Sequence, residues 1–368
     1  MKLMIVVGTR PEAIKLAPVI LEAKRRPDVE TIVAATGQHK EMLEQMLQVF
    51  DIQPDIDLSI MRHDQNLCHI TTAALQGLYD AIDREKPDCV IVQGDTTTTF
   101  TGALAAFYHQ VPVAHVEAGL RTFDKSEPFP EEVNRCMTTQ VTNFHFAPTQ
   151  ISKDNLLREG VEEKDIIITG NTAIDALLLT LERLQADGKN LPDGPGKKII
   201  LVTAHRRENH GERMQTICDA ILALLEKHQD ADVLFPVHMS PKVREVVFPK
   251  LAEHPRIELV DPLDYVDFVQ AMDKSHLILS DSGGVQEEAP SLGKPVLVLR
   301  DQTERPEASM AGTAIMVGAH FDKIIDHAST LLTDSAAYQK MSRIENPYGD
   351  GQAAKRIIDH ISSNLTSG

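Results

Sequence analysis

Three acidic side chains stand where apolar runs end in the first half of the chain. Asp95 lies in Gly94-Asp95-Thr96-Thr97-Thr98-Thr99, and Glu117 in His115-Val116-Glu117-Ala118-Gly119-Leu120-Arg121. Glu131 lies in Pro128-Phe129-Pro130-Glu131-Glu132-Val133-Asn134-Arg135. Each has an ordinary explanation. Asp95 suits a helix N-cap, and an acid at 131 or 132 suits a first helical turn, where the dipole favours negative charge. Such local roles account for one of these residues, not for three at separate strand or helix ends of one domain. Carboxylates gathered together perturb one another's proton affinity, which is what acid–base chemistry needs.

Other element ends carry the chemistry of anion binding. Gly8-Thr9-Arg10-Pro11-Glu12-Ala13-Ile14-Lys15 follows the first apolar run. Gly8 permits a tight turn and Pro11 suits a first helical position. The free amides of that helix, with Arg10 beside them and Lys15 one turn on, form an anion site by geometry; the plain alternative is a strand–helix turn with solvated charges. The stretch is neither a GxxxxGK[ST] loop nor a GxGxxG fingerprint, so neither ATP hydrolysis nor NAD binding is indicated. In the second half, His205 is followed by Arg206 and Arg207. A lone histidine is usually structural, but two arginines at a strand end make this one a phosphate contact. Ser282-Gly283-Gly284 presents backbone amides with no Cβ in the way, and Glu288 follows where ribose hydroxyls can donate to it. Here the plain alternative is a Gly-rich turn with Glu288 solvated. Residues 300–307, with Arg305, add another charged loop. His69, His109, His228, His254 and His327 are scattered and suggest no metal site. Residues 42–46 and 248–251 read as core packing.

The elements that must position these residues alternate along the chain. Strand-like runs are expected at 3–8, 31–36, 89–94, 111–116, 144–147 and 166–169, with helical patterns at 11–24, 40–50, 71–84 and 97–108 among them. Residues 187–196 are the densest Gly/Pro/Asp stretch and read as a surface connection. The pattern restarts with strands at 198–203, 233–237, 257–260, 277–280, 296–299 and 314–317. Continuous apolar strands separated by helices imply parallel sheets covered on both faces, an α/β fold. Two doubly wound domains follow, 1–170 and 171–351, with a last helix at 352–368 crossing back onto the first. Ligands of such sheets sit at the carboxyl ends of the strands.

Composition agrees. At 368 residues the chain exceeds what one core usually serves. No apolar run approaches the ~20 residues that span a bilayer, and the first eight residues read as a buried strand, too short for a signal peptide's core. Four cysteines (Cys68, Cys89, Cys136 and Cys218), widely spaced, suit a reduced cytoplasmic protein. A net charge of −17 repels a phosphate-coated polymer, so nucleic acid is not expected as a partner. A small anion remains compatible, because local cations override net charge.

Taken together, in this order and over nearly the full chain, the motifs resemble those of the non-hydrolysing UDP-N-acetylglucosamine 2-epimerases. The stretches that carry the resemblance are those at 8–15, 94–99, 115–121, 205–208 and 281–290, with Asn346-Pro347-Tyr348-Gly349-Asp350-Gly351. The resemblance implies a GT-B fold, two Rossmann-like domains facing across a deep cleft, in a homodimer that uses neither metal nor cofactor. It implies reversible inversion of carbon 2 between UDP-N-acetylglucosamine and UDP-N-acetylmannosamine, through elimination of UDP to 2-acetamidoglucal, supplying units for cell-surface polysaccharide. It places Ser282, Gly283 and Gly284 at the diphosphate, Glu288 at the ribose and Phe268 beside the uracil. It makes Arg10, Lys15, His205 and Arg305 basic contacts, and Asp95, Glu117 and Glu131, with His205, catalytic groups. A second, activating UDP-sugar site maps to Gln38, Gln65, Arg206 and His238; Asp64 stands where relatives often carry a basic residue. The rival readings are a GT-B glycosyltransferase, a hydrolysing 2-epimerase and a catalytically silent nucleotide-sugar sensor.

Overall fold

The structure, a computed structural model, describes residues 1–37, 40–62, 65–186, 197–303 and 305–365. Residues 187–196, expected as a surface connection, lie outside the described residues. The chain divides into two compact units: Met1–Leu179 with Tyr348–Gly368, and Thr180–Pro347. The first division falls within the helix Thr172–Ala186. It therefore comes after Leu179 where the sequence suggested 170, and the chain rejoins the first unit at Tyr348 where the sequence suggested 352.

The first unit holds β1 (Lys2–Val7), β2 (Glu30–Ala35), β3 (Ile56–Asp57), β4 (Cys89–Gln93), β5 (Val113–Val116), β6 (Phe144–Ala147) and β7 (Ile166–Ile168). They pair in the order β3-β2-β1-β4-β5-β6-β7. The second unit holds β8 (Lys198–Thr203), β9 (Ala231–Pro236), β10 (Ile257–Val260), β11 (Leu277–Ser280), β12 (Val296–Val298) and β13 (Ala314–Met316). Their order, β10-β9-β8-β11-β12-β13, repeats that of the first sheet. Every pairing is parallel. Both sheets are doubly wound, and in each the strand order reverses at one place, between β1 and β4 and between β8 and β11.

Burial explains the pattern. All five residues of β4 are buried, as helices on both faces require. In the first unit Met4, Val6, Val90 and Val92 pack with Leu78, Ala103 and Ala106 of two covering helices, Leu67–Glu85 and Thr97–Tyr108. In the second unit Val202, Phe235 and Leu279 pack with Ile217, Ile221 and Leu331. Two elements differ from expectation. β3 has only two residues, too short to leave an apolar run. The helix expected from 71 begins at Leu67, because the Asn66 side chain accepts from the His69 N–H at 2.9 Å and caps it. Among the described residues no helix is long and apolar enough to cross a membrane.

The final helix, Ala353–Leu365, packs on the first unit. Arg26 pairs with Asp359 at 2.7 Å, and the His360 ring meets Phe144 and Phe146 edge-on at 5.7 and 5.8 Å. The chain enters this helix past Gly170 and Gly349. A Cβ on Gly170 would lie 3.2 Å from the Gly349 Cα, and both glycines have positive φ. Asp175 Oδ1 accepts from the Ala354 N–H at 2.9 Å, while among the described residues buried Oδ2 has no hydrogen-bond partner.

Burial lifts the Asp175 carboxyl to about 6, against the donors at Ala353 and Ala354. A folded-state value above the unfolded one means that the stabilisation is complete below pH 3.8 and fades as pH rises through about 6. The full swing is ~3 kcal/mol. Urea unfolding of wild type and Asp175→Asn at pH 4.5 and 7 should therefore show the variant gaining on wild type as pH rises. A pH-independent difference between the two would exclude the protonated carboxyl.

Candidate active site

At the switch point of the first sheet, the turn after β1 packs against the loop after β4. The turn has no room for a side chain: a Cβ on Gly8 would lie 2.2 Å from Thr98 Oγ1 and 2.8 Å from Thr36 Oγ1. The buried Glu12 carboxylate then joins the two loops. It accepts from the N–H groups of Gly8 (2.7 Å) and Thr9 (2.6 Å) on one side. On the other it accepts from the hydroxyls of Thr99 (3.1 Å) and Thr96. Burial pushes this carboxyl up and the four donors oppose the push. Arg10 begins the helix Arg10–Lys24 and is exposed.

Glu117 sits one residue past β5 at φ +64°, a left-handed conformation that costs a non-glycine residue ~1–3 kcal/mol. The side chains of Lys15, Asn171 and Gln93 hold it. Oε1 pairs with Lys15 Nζ and lies 3.4 Å from Asn171 Nδ2, and Oε2 accepts from Gln93 Nε2. The neighbouring Gly94–Asp95 loop is close, since a Cβ on Gly94 would lie 3.6 Å from Glu117 Oε2. Buried His115 fixes that loop from beneath with Nε2 2.7 Å from the Gly94 carbonyl. Burial drives His115 down to about 4. It is therefore neutral at pH 7 and donates from Nε2.

Asp95 Oδ2 pairs with Arg135, and the Asp95 carbonyl accepts from Asn134 Nδ2 at 3.0 Å. Both partners lie on the helix Glu131–Val141. Glu131 opens that helix half-buried, whereas its neighbour Glu132 is buried. The structure thus places Asp95 and Glu117 on adjacent strand ends, with Lys15 reaching Glu117 from the helix Arg10–Lys24 and Glu131 at the next helix start. Gln93, Arg135, Asn171 and Glu12 are the supporting groups that sequence reasoning missed. Only Glu12 carried a local signal, an acid three residues after the N-cap Thr9.

The second unit repeats the device. Asp281, fully buried one residue past β11, accepts from the backbone of the loop after β8: His205 N–H at 2.9 Å and Arg206 N–H at 2.9 Å. Asn209 Nδ2 donates to the same oxygen at 2.9 Å and to the Leu299 carbonyl at 2.9 Å. His205 Nδ1 lies 3.6 Å from Asp281, and its ring stacks on His238 at 5.3 Å between centroids. Burial lowers the His205 pKa, Asp281 opposes that, and His238 and Arg206 add to it.

Ser282, Gly283 and Gly284 follow directly. The Ser282 N–H donates to Ser280 Oγ at 3.0 Å. A Cβ on Gly283 would lie 3.1–3.4 Å from the Arg305 side chain, whereas one on Gly284 would meet only Ser282 Oγ at 4.0 Å. Glycine at 283 thus lets Arg305 lie against the turn, and Gly284 leaves its own face open. Arg305 Nε donates to the buried Glu287 at 2.9 Å, so this cation is already paired. Glu288 is half-buried at the end of the helix Gly283–Glu288, and Phe268 is half-buried on the helix Tyr265–Lys274. Of the second-site residues, Gln65 Oε1 accepts from the Arg62 N–H at 3.3 Å; Gln38 and Asp64 lie outside the described residues. Among the described residues, no three His, Cys, Asp or Glu side chains are grouped to hold a metal.

Comparison with known proteins shows the family of the chain. Residues 21–362 match the family model described as UDP-N-acetylglucosamine 2-epimerase. The UDP-N-acetylglucosamine 2-epimerase of Bacillus subtilis is 52% identical over 364 residues, covering 98% of this chain and 95% of that protein. The Neisseria meningitidis UDP-GlcNAc 2-epimerase, solved bound to UDP-GlcNAc, superposes with a TM-score of 0.88 at 49% identity, covering 99% of this chain and all of that one. The S. aureus MnaA–UDP structure gives 0.87 at 46% identity, covering 99% and 97%. The two doubly wound units are thus the Rossmann-like pair of the GT-B fold.

Removing the buried Asp281 carboxylate leaves three N–H donors unsatisfied. Asp281→Ala should lower the unfolding free energy by ~3 kcal/mol in urea titration. An unchanged midpoint and slope would show that the two loops hold together without it.

Proposed function

We propose that this chain, which belongs to the UDP-N-acetylglucosamine 2-epimerase family, interconverts UDP-N-acetylglucosamine and UDP-N-acetylmannosamine without net hydrolysis. The carbon 2 proton is not adjacent to a carbonyl, so direct abstraction is very hard. The C1–O bond breaks first and its electron pair leaves with UDP, giving the sugar oxocarbenium character. A carboxylate then takes the carbon 2 proton, and the C–H electrons form the C1=C2 bond of 2-acetamidoglucal. Protonation of carbon 2 from the opposite face and return of the UDP oxygen to carbon 1 complete the inversion.

In this reading the second unit holds UDP, with Ser282, Gly283 and Gly284 at the diphosphate, Glu288 at the ribose, and Phe268 beside the uracil. The open face at Gly284 supports that assignment, as does the UDP-GlcNAc bound by the neisserial relative. Arg10, Lys15, His205 and Arg305 are the basic contacts that donate to the substrate. Asp95 and Glu131 carry protons, and Glu117 orients the sugar. The observation that carries the reading is the pairing of two carboxylates, Asp95 and Glu117, with Arg135 and Lys15 on adjacent strand ends. Gln65, Arg206 and His238, with Gln38, form the second, activating site. The enzyme works as a cytoplasmic homodimer, and its product feeds cell-surface polysaccharide.

Magnitudes divide the work. General acid–base catalysis supplies about 10²–10⁴-fold, roughly 3–5 kcal/mol, against ~8–23 kcal/mol for enzymes generally. The remainder falls largely to stabilising departing UDP, which gives the second unit's amides and His205 as much weight as the carboxylates.

Incubation of UDP-N-acetylglucosamine in heavy water without acceptor should place deuterium at carbon 2 of both epimers and release no UDP in proportion to turnover. Asp95→Asn should slow this exchange by about 10²-fold or more. No label without acceptor, but sugar transfer once an acceptor is added, would indicate a glycosyltransferase. Stoichiometric UDP would indicate the hydrolysing enzyme, and no turnover at all a sensor. Undiminished labelling by Asp95→Asn would end the proton role of Asp95.

A further inference from the structure

Asp95 is not set by its own loop alone. The helix Glu131–Val141 holds it at two points, by Asn134 at the backbone carbonyl (3.0 Å) and by Arg135 at the carboxylate. The other arm of the Arg135 fork, Nη1, pairs with Glu132 Oε2 at 3.0 Å. Glu132 in turn accepts from two consecutive backbone N–H groups past β5, Thr122 (3.1 Å) and Phe123 (2.9 Å). A continuous chain of contacts therefore runs from the 122–123 backbone through Glu132 and Arg135 to Asp95.

Burial and geometry give this chain its stiffness. The side chains of Glu132 and Arg135 are 2% and 10% exposed, and that of Asp95 is 26% exposed. A buried carboxylate must be paired and hydrogen-bonded, and Glu132 meets both conditions only with Arg135 and the loop in place. The planar guanidinium spaces its two carboxylates rigidly, which a lysine ammonium cannot do. Arg135 takes Oδ2 of Asp95, and among the described residues Oδ1 has no ion pair.

We propose that Arg135 is the positioning residue for Asp95 and that Glu132 ties this pair to the loop after β5, so that the loop's backbone sets where the proton carrier stands. The inference rests on the reading of Asp95 as a proton carrier.

The test compares Arg135→Met, Arg135→Lys and Asp95→Asn as full-length proteins, by carbon 2 deuterium exchange, kcat and KM. A carboxylate displaced by about 1 Å costs about 100-fold in rate. Arg135→Met should lose about that in kcat with little change in KM. Added guanidinium chloride should restore part of the loss in Arg135→Met and none in Asp95→Asn. Normal kcat in a folded Arg135→Met overturns the proposal while Asp95→Asn remains impaired. Normal exchange in Asp95→Asn overturns the underlying reading instead. Should Arg135→Met fail to fold, Arg135→Lys decides: it keeps a charge beside Glu132 but cannot fork. A kcat loss at constant KM supports positioning, and wild-type kcat overturns it.

Discussion

A doubly wound sheet must keep two loops apart at its switch point and yet hold each of them still. In this protein one buried carboxylate per sheet does both. Glu12 joins the turn after β1 to the loop after β4, and Asp281 joins the end of β11 to the loop after β8. A buried charge costs several kcal/mol unless its lone pairs are filled. Glu12 has four donors and Asp281 has three, so each carboxylate is affordable only when both of its loops are in place. That condition makes the loops interdependent. Everything else at the two switch points stands on them: Arg10 and Asp95 in the first unit, His205 and Ser282 in the second.

The carboxylates of the first unit are not equivalent. Glu117 is gripped by Lys15, Gln93 and Asn171 in a left-handed backbone conformation, with both oxygens engaged. Such a group is suited to holding a substrate hydroxyl or a developing charge, since its own movement is restricted on every side. Among the described residues the Asp95 carboxylate is engaged through Oδ2 alone, and Glu131 sits half-buried at a helix start beside the buried Glu132. The division of labour proposed here, with Glu117 orienting and the other two carrying protons, follows this gradient of restraint.

Much of this was legible in the sequence. Parallel strands buried on both faces leave continuous apolar runs, so the two sheets and the acids at their strand ends could be read directly. β3 escaped because two residues make no pattern. The start of the helix Leu67–Glu85 escaped because its signal was a single capping asparagine. The supporting residues escaped for a different reason. Lys15 and Glu117 are 102 positions apart, and Asp95 and Arg135 are 40 apart. Nothing local in a sequence says which arginine will face which aspartate. Asp281 lay within a motif already read for its glycines, and its side chain turned out to serve the loop after β8.

The cations show why net charge was a poor guide to the ligand. The chain carries −17, yet the proposed substrate is an anion. Two of the four expected basic contacts are already matched by acids, Lys15 by Glu117 and Arg305 by Glu287. These pairs add little net field, so their effect on a diphosphate is directional: they present N–H groups at fixed positions. Burial lowers the affinity of His205 for its proton, and the neutral ring still donates one hydrogen bond. A diphosphate held in this way relies on oriented N–H dipoles, from backbone amides and paired side chains, more than on excess positive charge. Such a site binds a small dianion while the surrounding negative field still repels a polyanion.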